Sequence, residues 1–197
     1  TQGRQQQPAV AGLNDGGFVI TWTHLDPSTV TGQGIFGQRY AEDGSALGGE
    51  FRVDSTSAVS QHSPSVTLLT NGGFAITWLS KNENAGGIGI YAQRYSEDNT
   101  ALGSEILIEG ESTNYLSDPT ITATMDGGFL VTWSSTPKEY DYDFVISEIK
   151  ARHYGRNNTV VGDAFLFSPS TGVSQTKPFA VTGPDGGIII VWSKDGS

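Results

Sequence analysis

The sequence contains no cysteine and a single methionine. Without thiols there is neither a disulfide framework nor a thiolate zinc site, so packing and hydrogen bonds must hold the fold. Basic residues are scarce: 11 Lys+Arg against 21 Asp+Glu give a formal net charge of −10. That balance argues against nucleic acid, which needs clustered cations to displace its counterions, and against an anionic membrane surface. It leaves divalent cations compatible. No apolar run approaches the ~20 residues of a membrane span, and the opening TQGRQQQ is no signal peptide. Helical periodicity is missing too, and 26 glycines interrupt any pattern of that kind. A first residue other than Met and an ending in KDGS just after a strand suggest a piece of something longer. Even so, 197 residues, 36% hydrophobic and 16% charged, are enough to fold as a single domain.

What is present is repetition. One phrase occurs four times, as DGGFVITW (Asp15 to Trp22), NGGFAITW (Asn71 to Trp78), DGGFLVTW (Asp126 to Trp133) and DGGIIIVW (Asp185 to Trp192). Asp/Asn-Gly favours a positive φ and predicts a two-residue hairpin turn, and the β-branched and aromatic residues after it predict a buried strand. The turns begin at Gly16, Gly72, Gly127 and Gly186, so the copies lie 56, 55 and 59 residues apart. A proline precedes each by eight residues: Pro8, Pro64, Pro119 and Pro178. Short runs follow these prolines (AVAGL, SVTLL, TITAT, FAVTG) and read as first strands. Ile35 to Tyr40, Ile90 to Tyr95 and Ile149 to Tyr154 read as third strands, and Glu50 to Val53, Glu105 to Ile108 and Ala164 to Phe167 as fourth strands.

Four short antiparallel strands per unit of ~55 residues describe a β-propeller blade. The expected fold is therefore all-β, a propeller-like array of about three and a half blades in a single domain over residues 1–197. Its units are 1–55, 56–110, 111–169 and an incomplete 170–197. A ring leaves no open edge, so the half unit must be completed by missing blades or by another copy.

Comparing the units sorts their connections. The turns between first and second strands and between third and fourth strands barely change, whereas the second-to-third loops and the unit-to-unit connections vary. In an up-and-down blade the two variable kinds share one end, and a rigid scaffold with variable loops gathered at one end is how binding surfaces are built. Candidate ligand-binding residues at that end are His24, Asp26, Tyr115, Lys138, Tyr140 and Tyr142. The segment KEYDYDF (Lys138 to Phe144) alternates rigid amphipathic rings with acids, and Asp141 and Asp143 are candidate ligands for calcium, the one cofactor considered. His24, Asp26 and His62 lack the fixed spacing of a metal site and read as solvated loop residues. The four tryptophans and Phe18, Phe74 and Phe129 read as packing between blades. Arg39 and Arg94 read as structural partners of an aromatic ring or a local carboxylate.

No GxSxG, HExxH or P-loop occurs, and there is no cysteine nucleophile, so no enzymatic activity is expected. The phrase DGGF-x-[VI]-T-W, followed by GQRY, a DG turn and LGGEF, resembles the tandem repeats of large secreted bacterial RTX adhesins and haemolysin-like calcium-binding proteins. That resemblance implies an extracellular or cell-surface location and adhesion. The chain lacks the GGxGxD nonapeptide of such proteins, so their calcium-binding part is not carried over. A looser likeness to the Asp boxes of sialidases fails on register, since the acid stands seven residues before the Trp and not five. The resulting expectation is a non-enzymatic binding or adhesion module for a glycan or a protein surface. A structural subunit self-associating through its incomplete last repeat and a carbohydrate-active enzyme stand as alternatives.

Overall fold

The computed structural model describes residues 3–25, 33–55, 60–82, 87–110, 114–138, 146–167 and 172–194. It is all-β, with three four-stranded antiparallel blades and a two-stranded half-blade. Blade 1 runs β1 (Arg4–Gly12), β2 (Phe18–Leu25), β3 (Gln33–Tyr40) and β4 (Ala46–Arg52). Blade 2 runs β5 (Ser60–Leu68), β6 (Phe74–Asn82), β7 (Gly87–Tyr95) and β8 (Ile106–Glu109). Blade 3 runs β9 (Asn114–Ala123), β10 (Phe129–Pro137), β11 (Glu148–Tyr154) and β12 (Val160–Leu166). The half-blade holds β13 (Gln175–Thr182) and β14 (Ile188–Lys194). Strands pair in chain order within each blade, and β1, β5, β9 and β13 pack on one another as the innermost strands. Among the described residues no helix is long and apolar enough to cross a membrane.

The repeated turn has one residue more than its sequence suggests. The Gly16 N–H donates to the Leu13 carbonyl at 3.2 Å and the Leu13 N–H to the Gly17 carbonyl at 2.8 Å, so Asn14, Asp15 and Gly16 make a three-residue loop with Gly16 at φ 81°. This is a type I turn closed by a left-handed residue. Asp15 Oδ1 accepts the Gly17 N–H at 3.0 Å, and Asn71, Asp126 and Asp185 do the same in their copies. That bond explains the Asp or Asn. The second glycine has a different reason: a Cβ on Gly17, Gly73 or Gly128 would lie 2.3, 2.2 or 1.9 Å from the carbonyl oxygen of Tyr40, Tyr95 or Tyr154. The third-to-fourth turns have the same design, closed by Gly44, Asn99 and Asn158 at positive φ.

The innermost strands begin before their prolines, not after them. β1 pairs Gln6 with Thr23 and Ala9 with Thr21, so Gln7 and Pro8 bulge out opposite Trp22. The same bulge places Ser63-Pro64 opposite Trp78, Asp118-Pro119 opposite Trp133 and Lys177-Pro178 opposite Trp192. A proline has no N–H for the ladder and is tolerated within a strand at such an interruption. The residue before each proline is left-handed, with φ of 53°, 57°, 52° and 54° at Gln7, Ser63, Asp118 and Lys177. β4 and β12 also start earlier than their sequences suggest, because glycine bulges at Gly48 and Gly162 let the chain pair directly after the turn.

Alternate residues of each second strand face opposite neighbours. Phe74, Ile76 and Trp78 join Val19, Ile35 and Val53 between blades 1 and 2, while Phe129, Val131 and Trp133 join Ala75, Leu79 and Ile90 between blades 2 and 3. Burying each such side chain contributes roughly 1.5–3 kcal/mol. Trp192 is 39% exposed because β14 has no third strand beside it in the described chain. The arginines find the carboxylate and the aromatic ring that the sequence suggests, and they also tie the blades together. Arg39 pairs with Asp15 at 2.8 Å and donates to the Glu97 carbonyl of blade 2. Arg94 lies 5.9 Å over the Phe129 ring and donates to the Gly127 carbonyl of blade 3 at 3.0 Å. Blade 3 has His153 at this position, which faces its own turn at Asp126, 3.2 Å away.

Candidate functional site

Four strained residues recur at one level of the four innermost strands, and they differ chemically: an amide, a hydroxyl, a carboxylate and an ammonium. A left-handed non-glycine residue costs of order 1–3 kcal/mol and persists only where its surroundings over-determine it. The surroundings here are hydrogen bonds from blade to blade. Gln7 Oε1 accepts the Thr23 hydroxyl at 3.0 Å and the Ser63 N–H at 3.1 Å, and Gln7 Nε2 donates to Ser63 Oγ at 3.2 Å. Ser134 Oγ accepts the Lys177 N–H at 3.2 Å and donates to Asp118 Oδ2 at 3.5 Å, an oxygen that also accepts from Ser117 Oγ at 2.8 Å. Among the described residues of this belt Asp118 is the only carboxylate. His62, next to the bulge in blade 2, contacts Ser63 Oγ at 3.0 Å, and burial, helped by Lys81, holds its imidazole below the usual histidine value.

The seam between blade 3 and the half-blade is the polar one. The buried apolar cluster of that seam holds Leu130, Ala151 and Ala180, with Ile190 beside them. Where blade 2 has Leu79 after its tryptophan, blade 3 has Ser134. A chain of hydroxyls continues outward from it: Thr136 Oγ1 contacts Ser147 Oγ at 2.7 Å, and Ser174 Oγ donates to Ser147 Oγ at 3.0 Å. Ser134 and Ser147 are buried, so this seam presents directed hydrogen-bonding groups in place of methyl groups. An arrangement of this kind suits a ligand rich in hydroxyls, with one carboxylate beside it for proton transfer.

The candidates read from the sequence do not converge into one cluster. His24 belongs to blade 1, where it contacts Gln5 Nε2 at 3.4 Å and the Phe36 ring edge-on at 5.2 Å. Tyr115 and Lys138 belong to blade 3 and do meet, with Nζ 5.5 Å from the ring centroid. Asp26, Tyr140, Tyr142, Asp141 and Asp143 lie outside the described residues. Among the described residues no three His, Asp or Glu side chains gather as metal ligands. Sequence reasoning missed Asp118, Ser134 and Lys177. The available signal was the residue before each recurring proline, which changes from unit to unit while the proline stays.

No family model matches the chain and no curated protein matches it. Solved structures do. The chain is similar to an endo-arabinase from Bacteroides thetaiotaomicron, with a TM-score of 0.65 at 17% identity over 96% of this chain and 71% of that one. It is similar to an alpha-L-arabinanase from Penicillium chrysogenum solved with arabinobiose, with a TM-score of 0.66 at 16% identity over 94% of this chain and 58% of that one. A Hadza microbial sialidase gives a TM-score of 0.60 at 12% identity over 97% of this chain and 46% of that one. The chain thus spans under two thirds of the length of the last two. These matches fix the propeller fold. They also correct three expectations: the arabinanase, arabinofuranosidase and sialidase propellers among these matches are glycoside hydrolases and not RTX adhesins, which overturns the non-enzymatic reading, the adhesion function and the adhesin-like character. The absence of GxSxG, HExxH and P-loop phrases speaks only to activities whose groups lie in one contiguous phrase.

Proposed function

We propose that the chain is a carbohydrate-active propeller that cleaves glycosidic bonds, binding its saccharide at the polar seam between blade 3 and the half-blade. The observation that carries this reading is the Asp118 carboxylate, held in a strained bulge on an innermost strand among seam hydroxyls. The likeness to arabinanase and sialidase propellers supports it. Glycoside hydrolysis uses a pair of carboxyl groups, one protonating the leaving oxygen and one acting on the far side of the sugar. Asp118 fills one of these places. Its oxygen takes two serine hydroxyls as donors, which orient the carboxylate and leave its remaining lone pairs for a substrate proton. Arabinose-containing chains are the first substrates to test, because the similar structures are arabinanases. The full chain should release reducing ends from linear arabinan, and Asp118→Asn should lower that rate at least ~100-fold, the usual contribution of a general acid or base. Unaltered hydrolysis by the Asn variant would remove Asp118 from the mechanism.

A further inference from the structure

We infer that Tyr115 forms a stacking subsite for a second sugar unit, so that the seam takes an oligosaccharide chain and not a lone sugar. This inference rests on the glycan-cleaving reading above. On β9 Tyr115 pairs with Thr136 as Ser117 pairs with Ser134, so both side chains stand on the face turned to the half-blade. The Asp118 carboxylate is drawn to the same face by its bonds to Ser117 and Ser134. Three steps along the strand take Tyr115 to Asp118, about 10 Å at the usual rise. That distance accommodates one sugar ring at the carboxylate and the next over the tyrosine.

The composition of this spot fits the ligand class. The corresponding residues of the other units are Arg4, Ser60 and Ser174, so an aromatic ring occurs here in blade 3 alone. The ring is 44% exposed, so its face is open to a ligand. The Lys138 ammonium lies 5.5 Å from its centroid and restrains its orientation. Around it stand groups that match sugar hydroxyls: the Thr136, Ser147 and Ser174 hydroxyls. An aromatic face covers the C–H face of a sugar ring while polar neighbours take its edge.

The test is calorimetric titration of the full chain, carrying Asp118→Asn to prevent cleavage, with arabinan oligosaccharides from arabinobiose to the hexasaccharide. Affinity should rise with chain length. Adding Tyr115→Ala should weaken the longer oligosaccharides roughly ten-fold and flatten that rise, while Tyr115→Phe should retain it. A melting curve for each variant separates lost stacking from lost folding. Unchanged affinity in the Ala variant, or equal loss in the Phe variant, overturns the subsite while leaving Asp118 in place. Hydrolysis that survives Asp118→Asn overturns the catalytic reading alone, since chain-length-dependent binding at Tyr115 would still be measured. If the parent chain binds none of these oligosaccharides, both fall.

Discussion

The seam between blades 2 and 3 and the seam between blade 3 and the half-blade are built from the two faces of the same strand, β10, and they are opposites. Phe129, Val131 and Trp133 point one way into a buried apolar cluster. Leu130, Thr132 and Ser134 point the other way, where apolar contact soon gives out and hydroxyls take over. Apolar burial is non-directional and scales with area, so the first seam confers stability and tolerates imprecision. Hydroxyls contribute little net stability but fix direction, so the second seam confers geometry. A single strand therefore divides the labour between holding blades together and presenting a ligand surface.

Substitutions on either face sharpen this contrast. The largest effect belongs to the apolar face: Trp133→Ala should destabilise by ~3–5 kcal/mol, read as a fall in melting temperature, because a fully buried indole leaves a cavity that its neighbours cannot close. A loss below ~1 kcal/mol would mean that the seam is looser than drawn. Ser134→Ala on the polar face should cost less, about 1–2 kcal/mol by denaturant unfolding, since the Lys177 N–H loses its acceptor. Its effect on arabinan cleavage should exceed its effect on folding.

The smallest effect lies at the turn below. Burial would push the Asp126 carboxyl up, but the Thr124 hydroxyl, the Gly128 N–H and His153 outweigh it and hold it below the usual carboxylate value. A depressed value in the folded state means that the unfolded chain takes up the proton first on acidification. The stabilisation is therefore present at neutral pH and is lost as pH falls below about 4. Asp126→Asn keeps the turn bond that Asn71 makes in blade 2. It should cost under ~1 kcal/mol at about pH 7, the side chain being half exposed, and less at about pH 3. Equal loss at both values would assign the role of Asp126 to the turn alone.

The blade pattern was legible because turn chemistry and strand burial fall on the same few residues. Asp15, Gly16 and Gly17 each have a separate physical reason to be what they are, and all four copies repeat it nearly unchanged. The site was harder to read. Pro8, Pro64, Pro119 and Pro178 read as strand breakers ahead of the first strand, although each stands inside a strand at a bulge. Once the prolines are placed outside, Asp118 becomes a linker residue and drops from view. Tyr115 and Lys138 were legible as individuals, but their meeting depends on the pairing of β9 with β10, which no local pattern encodes. Ser134 read as the start of a variable second-to-third loop, and only the register shows that it lies within β10 and faces the half-blade.

The arginines that bind one blade to the next also bear on how the chain reaches its fold. Arg39 finds Glu97 58 residues along, Arg94 finds Gly155 61 along, and Gln7 finds Ser63 56 along. Among the described residues every such partner lies one unit away and none lies two away. Structure can therefore nucleate in one unit and grow outward by accretion, each new unit closing a loop of the same length as the last. Growth of this kind imposes no fixed number of units, so gene duplication could lengthen or shorten the array without rewriting the joints between its members.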